Sequence, residues 1–290
     1  MDHFFSRSVS VGLAGLALVA WLAPAHAQVS ATPVALKAEG ITAPGKIPTC
    51  NVPADIARFV QPLAKTAQRL SAAGPLTIVA IGSSSTFGAG ATSPANSYPS
   101  RLAIELQQRF PANDIKVINR GVNGEEAADM LARLDSQVLS ERPDLILWQV
   151  GTNALLRNHP LGPAVDVIND GIQRMKAAGA DVILIDPQFA PKVITKPDHE
   201  RMVTLISAAA KQGNIDLFSR FAMMRHWRES EGITFDVFLS PDELHMNDWS
   251  YACQAKVMSE AIAEAATRTR AIAQTPTKPS VRAIPASAGH

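Results

Sequence analysis

The chain has 290 residues, of which 47% are hydrophobic and 18% charged, with a formal net charge of +1. That balance allows a substantial core, and it excludes a strong electrostatic field aimed at nucleic acid or anionic lipid.

Residues 1–27 read as a secretory signal: Arg7 precedes an apolar run from Val9 to Leu22, and small residues around Ala25-His26-Ala27 offer a cleavage site after Ala27. The apolar run is shorter than the ~20 residues that a spanning helix needs, although an uncleaved anchor is the alternative. No later stretch is suited to cross a membrane. Residues 28–49 and 271–290 are rich in Ala, Pro and Thr without periodicity, and read as a flexible linker and a flexible tail around one domain at residues 50–270. Export to the periplasm or beyond permits oxidation, so a bridge between Cys50 and Cys253 is expected. Two separate buried thiols are the alternative.

Helix and strand signals alternate inside the domain. Ile56, Phe59, Val60, Leu63, Ala67 and Leu70 share one helical face, with a kink expected at Pro62. Strands are expected at residues 76–82, 114–120, 144–151, 181–186 and 215–218. Helices are expected at residues 98–110, 125–139, 164–179, 198–212, 220–230 and 249–266. Short apolar strands separated by amphipathic helices need both sheet faces covered, which means a three-layer α/β/α sandwich with a parallel sheet. Ligands of such sheets bind beyond the carboxyl ends of the strands.

At the end of the first expected strand stands "GSSSTFG", residues 82–88. The chain has no G-x-x-x-x-G-K-[ST] phosphate loop, no H-E-x-x-H, and no cysteine or histidine cluster with metal spacing. Nor does the stretch match G-x-S-x-G. It resembles the first block of the SGNH (GDSL-type) hydrolases, G-D-S-x-[ST]-x-G, at every position but the aspartate. Three further blocks follow in order: "NRGVNG" (residues 119–124), "VGTN" (150–153) and "SPDELHMN" (240–247). The resemblance runs from Leu76 to the last helix. It implies a flavodoxin-like five-stranded sheet in the order 2-1-3-4-5, with Ser84 as nucleophile, Asp242 and His245 as its partners, Gly124 and Asn153 as oxyanion donors, and no cofactor or metal.

The chemistry suits those residue types. A serine hydroxyl needs a base within hydrogen-bond reach, and the base needs a group to orient it. Asp242 lies three residues before His245 and can turn back onto Nδ1 within one tight turn. Charge developing on a carbonyl oxygen would be met by the backbone N–H groups of Ser84 and Gly124 and the side-chain amide of Asn153. Ser83 replaces the usual aspartate and Ala154 stands where another is common, so altered hydrogen bonding is expected there. Register selects Ser84, with Ser83 and Ser85 as alternatives. Taken singly, the blocks also read as a flexible loop, a turn and helix caps. His226 is a rival base but reads rather as a packed or surface histidine inside a helix, His159 and His199 sit in polar surroundings, Trp148 reads as core, and Glu126 and "DPQFAP" (186–191) are candidates to line the expected pocket with a structural role as the default.

The expected function is an exported serine esterase acting on short-chain acyl or acetyl esters, carbohydrate-linked ones included, with activity that falls on acidification through the range where histidine titrates. The expected partner is a small-molecule or glycan ester. Alternatives are an acyltransferase acting on a glycan and a catalytically silent glycan-binding module.

Overall fold

The computed structural model describes residues 48–274, with side chains to residue 268. The expected signal, nearly all of the expected linker and residues 275–290 of the expected tail lie outside the described residues. Five strands, β1 (Leu76–Gly82), β2 (Ile115–Gly121), β3 (Leu145–Gln149), β4 (Asp181–Ile185) and β5 (Asp216–Phe218), form one sheet in the order β2-β1-β3-β4-β5. All four pairings are parallel, as the alternation of elements requires. Register aligns Gly82 with Gly121 and Ile81 with Trp148, so the carboxyl ends of β1, β2 and β3 open at one rim.

Thirteen α-helices accompany the strands among the described residues: α1 (Ala54–Ala57), α2 (Ala64–Ser71), α3 (Ser84–Phe87), α4 (Tyr98–Arg109), α5 (Ala127–Ala132), α6 (Leu134–Gln137), α7 (Thr152–Leu156), α8 (Leu161–Ala177), α9 (Pro191–Ile194), α10 (His199–Gln212), α11 (Arg220–Glu229), α12 (Phe235–Phe238) and α13 (Asp248–Gln274). Contacts group α2, α4 and α13 together on β1, β2 and β4, and group α5, α8 and α10 together on β1, β4 and β5. Both faces are therefore covered, and β1, β3 and β4 are buried almost throughout. The edge strand β2 stays half-exposed, because only one neighbour shields it. Trp148 is fully buried, as its place inside a strand predicts, and its indole N–H points at Met130 Sδ, 3.2 Å away.

Where the elements depart from expectation, long-range partners are the cause. The helix expected around residues 56–70 breaks between α1 and α2, since Pro62 has no N–H to give and Asp216 of β5 takes the N–H groups of Val60 (2.7 Å) and Gln61 (3.1 Å). The helix expected at 125–139 divides into α5 and α6 at Arg133, whose side chain is drawn to Glu125 (2.6 Å) and to the Arg120 carbonyl (2.8 Å). At the other end α13 runs through Gln274, past the boundary expected at residue 270. Good helix formers continue there, and the first breaker is Pro276. Cys50 and Cys253 are bridged across a sequence separation of 203 residues, tying the start of the described chain to α13.

Candidate active site

The hydroxyl row at the tip of β1 is sorted by burial. Ser83 is 2% exposed, and its N–H and Oγ both donate to Gln149 Oε1 at the end of β3, each at 2.9 Å. Ser85 is buried as well. Ser84 opens α3, a single turn closed by Gly88 in the left-handed region, and its side chain remains accessible. Of the three serines, only Ser84 meets an imidazole: its Oγ lies 2.7 Å from His245 Nε2.

His245 reaches β1 from a loop clamped at its base by the antiparallel bridge between Leu239 and Met246. Inside the loop Asp242 Oδ1 accepts hydrogen bonds from Ser240 Oγ (2.7 Å), Leu244 N–H (3.0 Å) and His245 N–H (2.9 Å). Its Oδ2 faces His245 Nδ1 at 2.5 Å, so Nδ1 donates to the carboxylate and Nε2 is left to accept from Ser84. Partial burial alone would push Asp242 upward. The donors on both oxygens outweigh it and hold the carboxyl well below the usual carboxylate range.

The two other expected donors lie beyond the neighbouring strand ends. Gly124 follows β2 at φ +79°, a conformation costly for any side chain, and it is exposed. No acceptor among the described residues takes the N–H of Ser84 or of Gly124. Asn153, on the first turn of α7 after β3, gives one amide hydrogen to the Glu125 carbonyl at 2.8 Å and keeps a second free. Arg157 at the end of the same turn donates to the Gly124 carbonyl (2.7 Å) and pairs with Glu126 (2.5 Å). The turn after β3 thus holds the turn after β2.

Sequence reasoning singled out the stretch 186–191 but not Gln149 or Arg220, nor the contacts made beneath these loops. Gln149 secures Ser83, and its signal was an amide closing the otherwise apolar strand "LILWQ". Gln188 of the "DPQFAP" stretch is buried; it donates to the Leu244 carbonyl (3.2 Å) and accepts from Thr152 Oγ1 (3.1 Å), joining the loop of His245 to that of Asn153. Arg220 supports Gln188 at 3.0 Å and is itself fully buried, which pulls its guanidinium down against the influence of Asp186 and two tyrosines. Burial also pushes Asp186 up to about 7, although Phe221 N–H and Arg220 oppose it. Glu126 borders the expected pocket and pairs with His159 at 3.0 Å. His226 turns to Glu231 (3.2 Å) and His199 to the Lys196 carbonyl (2.6 Å), so neither serves the serine row. Next to Asn153 a cavity of about 260 Å³ opens, lined by residues of α5 and α8. Among the described residues no group of three or more His, Cys, Asp or Glu side chains has the arrangement to hold a metal ion.

The chain is similar to known proteins. A curated arylesterase of Vibrio mimicus is 30% identical over 95 residues, 33% of this chain and 46% of the relative. Esterase TesA of Pseudomonas aeruginosa is 31% identical over 88 residues, 30% of this chain and 44% of the relative. The chain therefore spans less than half the length of these two curated relatives. Among solved structures, a two-domain esterase active on acetylated mannans superposes with a TM-score of 0.60 at 19% identity, over 77% of this chain and 58% of that one. The family model of the non-GDSL lipase-like family matches residues 49–268, in keeping with Ser83 at the position where the GDSL pattern carries aspartate. On a match over most of its length, and with the sheet order of the SGNH hydrolase fold, the chain belongs to the non-GDSL lipase-like family.

Proposed function

We propose that the protein is a serine esterase that hydrolyses carboxylic esters through an acyl-serine intermediate. The observation that carries the proposal is the unbroken line of hydrogen bonds from Asp242 through His245 to Ser84. His245 Nε2 takes the hydroxyl proton as Ser84 Oγ bonds to the ester carbonyl carbon, and Asp242 stabilises the imidazolium that results. The carbonyl oxygen, now an oxyanion, is met by the free N–H groups of Ser84 and Gly124 and the free amide hydrogen of Asn153, each such donor contributing about 2.7 to 4 kcal/mol in the transition state. Collapse breaks the bond to the alcohol oxygen, which leaves with the proton from His245. Water then enters by the same base and releases the acid. The residues present complete this chemistry without a cofactor.

Similarity to an arylesterase and to TesA supports a carboxylic ester as substrate. Short acyl esters of small alcohols, phenols or sugars are the substrate class. Export is supported by the bridge between Cys50 and Cys253, which belongs to an oxidising compartment, and by the signal-like residues 1–27.

The test is labelling with a fluorophosphonate, followed by peptide mass mapping and a panel of p-nitrophenyl esters on wild type and Ser84→Ala. Label on Ser84, and hydrolysis lost in the variant, are expected. Label on a different residue, or a Ser84→Ala variant that keeps the wild-type rate, refutes the assignment. Hydrolysis absent from wild type together with absent labelling leaves only a binding role.

A further inference from the structure

We infer that the cavity between α5 and α8 receives the acyl chain, and that it makes the enzyme select acyl groups of about four to eight carbons over acetyl; the inference rests on the esterase activity proposed above. The cavity measures about 260 Å³ and has Asn153, the residue proposed to greet the oxyanion, among its lining residues. Its walls are apolar: Ala127 and Met130 of α5, Val150 after β3, and Ala164, Val167 and Ile168 of α8. Its charged and titratable lining residues are already partnered, Glu126 with His159 at 3.0 Å and Glu125 with Arg133 at 2.6 Å, and Gln149, Thr152 and Asn153 are its remaining polar ones.

Chemistry decides which half of the ester occupies it. The alcohol oxygen must leave beside His245 Nε2, because that nitrogen delivers its proton. Asn153 is the one member of the proposed site on the cavity wall; Ser84, Gly124 and the Asp242–His245 loop do not line it, and its border is the Gly151–Asn153 turn with α5 and α8. The alcohol departs on the flank of His245, and the carbon chain attached to the carbonyl reaches the cavity past Asn153, whose amide is proposed to meet the carbonyl oxygen. An acetyl methyl would fill little of the space, since one water-sized group takes roughly 30 Å³. A chain of about four to eight carbons moves several methylenes from water onto the apolar wall, each favouring binding by about fourfold.

The experiment measures kcat/KM for p-nitrophenyl acetate, butyrate and octanoate, each corrected for its rate with hydroxide, in wild type and in Val167→Phe and Ala164→Phe, which project a ring into the cavity. The octanoate-to-acetate ratio is expected to exceed about 10 in wild type and to fall at least tenfold in both variants. Should the variants fail to fold, product inhibition of the wild type gives a second measure, with octanoate inhibiting at a concentration at least tenfold lower than acetate. Acetate turned over as well as octanoate, with Ser84 still labelled by a fluorophosphonate, overturns the acyl assignment and leaves the esterase intact. An unchanged ratio in folded variants, or inhibition that is no stronger for octanoate, overturns it equally. Absence of both labelling and turnover at every chain length removes the esterase and this inference together.

Discussion

Replacing Asn153 by alanine separates catalysis from stability, because its side chain has two jobs of different size. One amide hydrogen ties α7 to the Glu125 carbonyl at 2.8 Å, a half-buried bond worth about 0.5 to 1.5 kcal/mol of stability. For a domain of this size that lowers Tm by a few degrees, roughly 2 to 4 °C for each kcal/mol. The other hydrogen is the proposed oxyanion donor, and its loss costs about 2.7 to 4 kcal/mol in the transition state, a fall in kcat of about 10² to 10³. A protein of ordinary stability, about 5 to 15 kcal/mol, remains almost wholly folded after losing 1 kcal/mol, so destabilisation cannot imitate such a fall. KM should change little, since the charge that Asn153 meets exists only as the carbonyl is attacked. Steady-state kinetics on p-nitrophenyl butyrate, with a thermal melt of the same preparation, check both parts. A kcat within a few-fold of wild type, or a kcat loss that merely follows the folded fraction, refutes the reasoning.

Four further outcomes are expected. Asp242 is held below the carboxylate range, so it stays ionised while the medium is acidified through the histidine window of about pH 5 to 8. Asp242 should then add no proton of its own to any acid limb of kcat; a slope of two protons there would contradict this. Asp242→Asn presents an amide donor to Nδ1, favours the wrong tautomer and should lower kcat by up to about 10⁴, and near-normal turnover would argue against the orienting role. Gly90 has φ +89°, and a Cβ there would strike the Met246 carbonyl and come within 2.9 Å of His245 Cβ, so Gly90→Ala should depress kcat more than it depresses Tm, as melts and kinetics on one sample would show. Reducing the bridge between Cys50 and Cys253 frees a separation of 203 residues and costs up to about 5 kcal/mol in the chain-entropy model; an unchanged Tm after mass-verified reduction would show that the bridge contributes nothing.

Four sequence blocks led to the strand-end loops of this protein because local constraints are written locally. Apolar runs at residues 76–82, 144–151 and 181–186 mark strands whose faces are both covered, and the Asp242 to His245 spacing suits one tight turn. The alternation of elements gave a parallel sheet, and the family resemblance supplied its order. Legibility failed wherever a distant partner competes with local propensity. Pro62 suggested a kink, but it is Asp216, in β5, that captures the backbone of residues 60 and 61 and separates two helices. Residues 125–139 look like one amphipathic helix until Arg133 is pulled toward Glu125 and Arg120.

By itself, then, the sequence determined the fold class, the rim where chemistry belongs and the residue types gathered there, since those follow from hydrophobic period and from short spacings. Motif register pointed to Ser84 among three adjacent hydroxyls, and the tertiary structure supplies the physical reason: Gln149 draws Ser83 into the core while Ser84 meets the imidazole. Tertiary structure alone placed Gln188 between the loops of Asn153 and His245, and opened an apolar cavity between α5 and α8. Each of these depends on side chains far apart in the chain meeting once the sheet has closed, and no local pattern of residues encodes such a meeting.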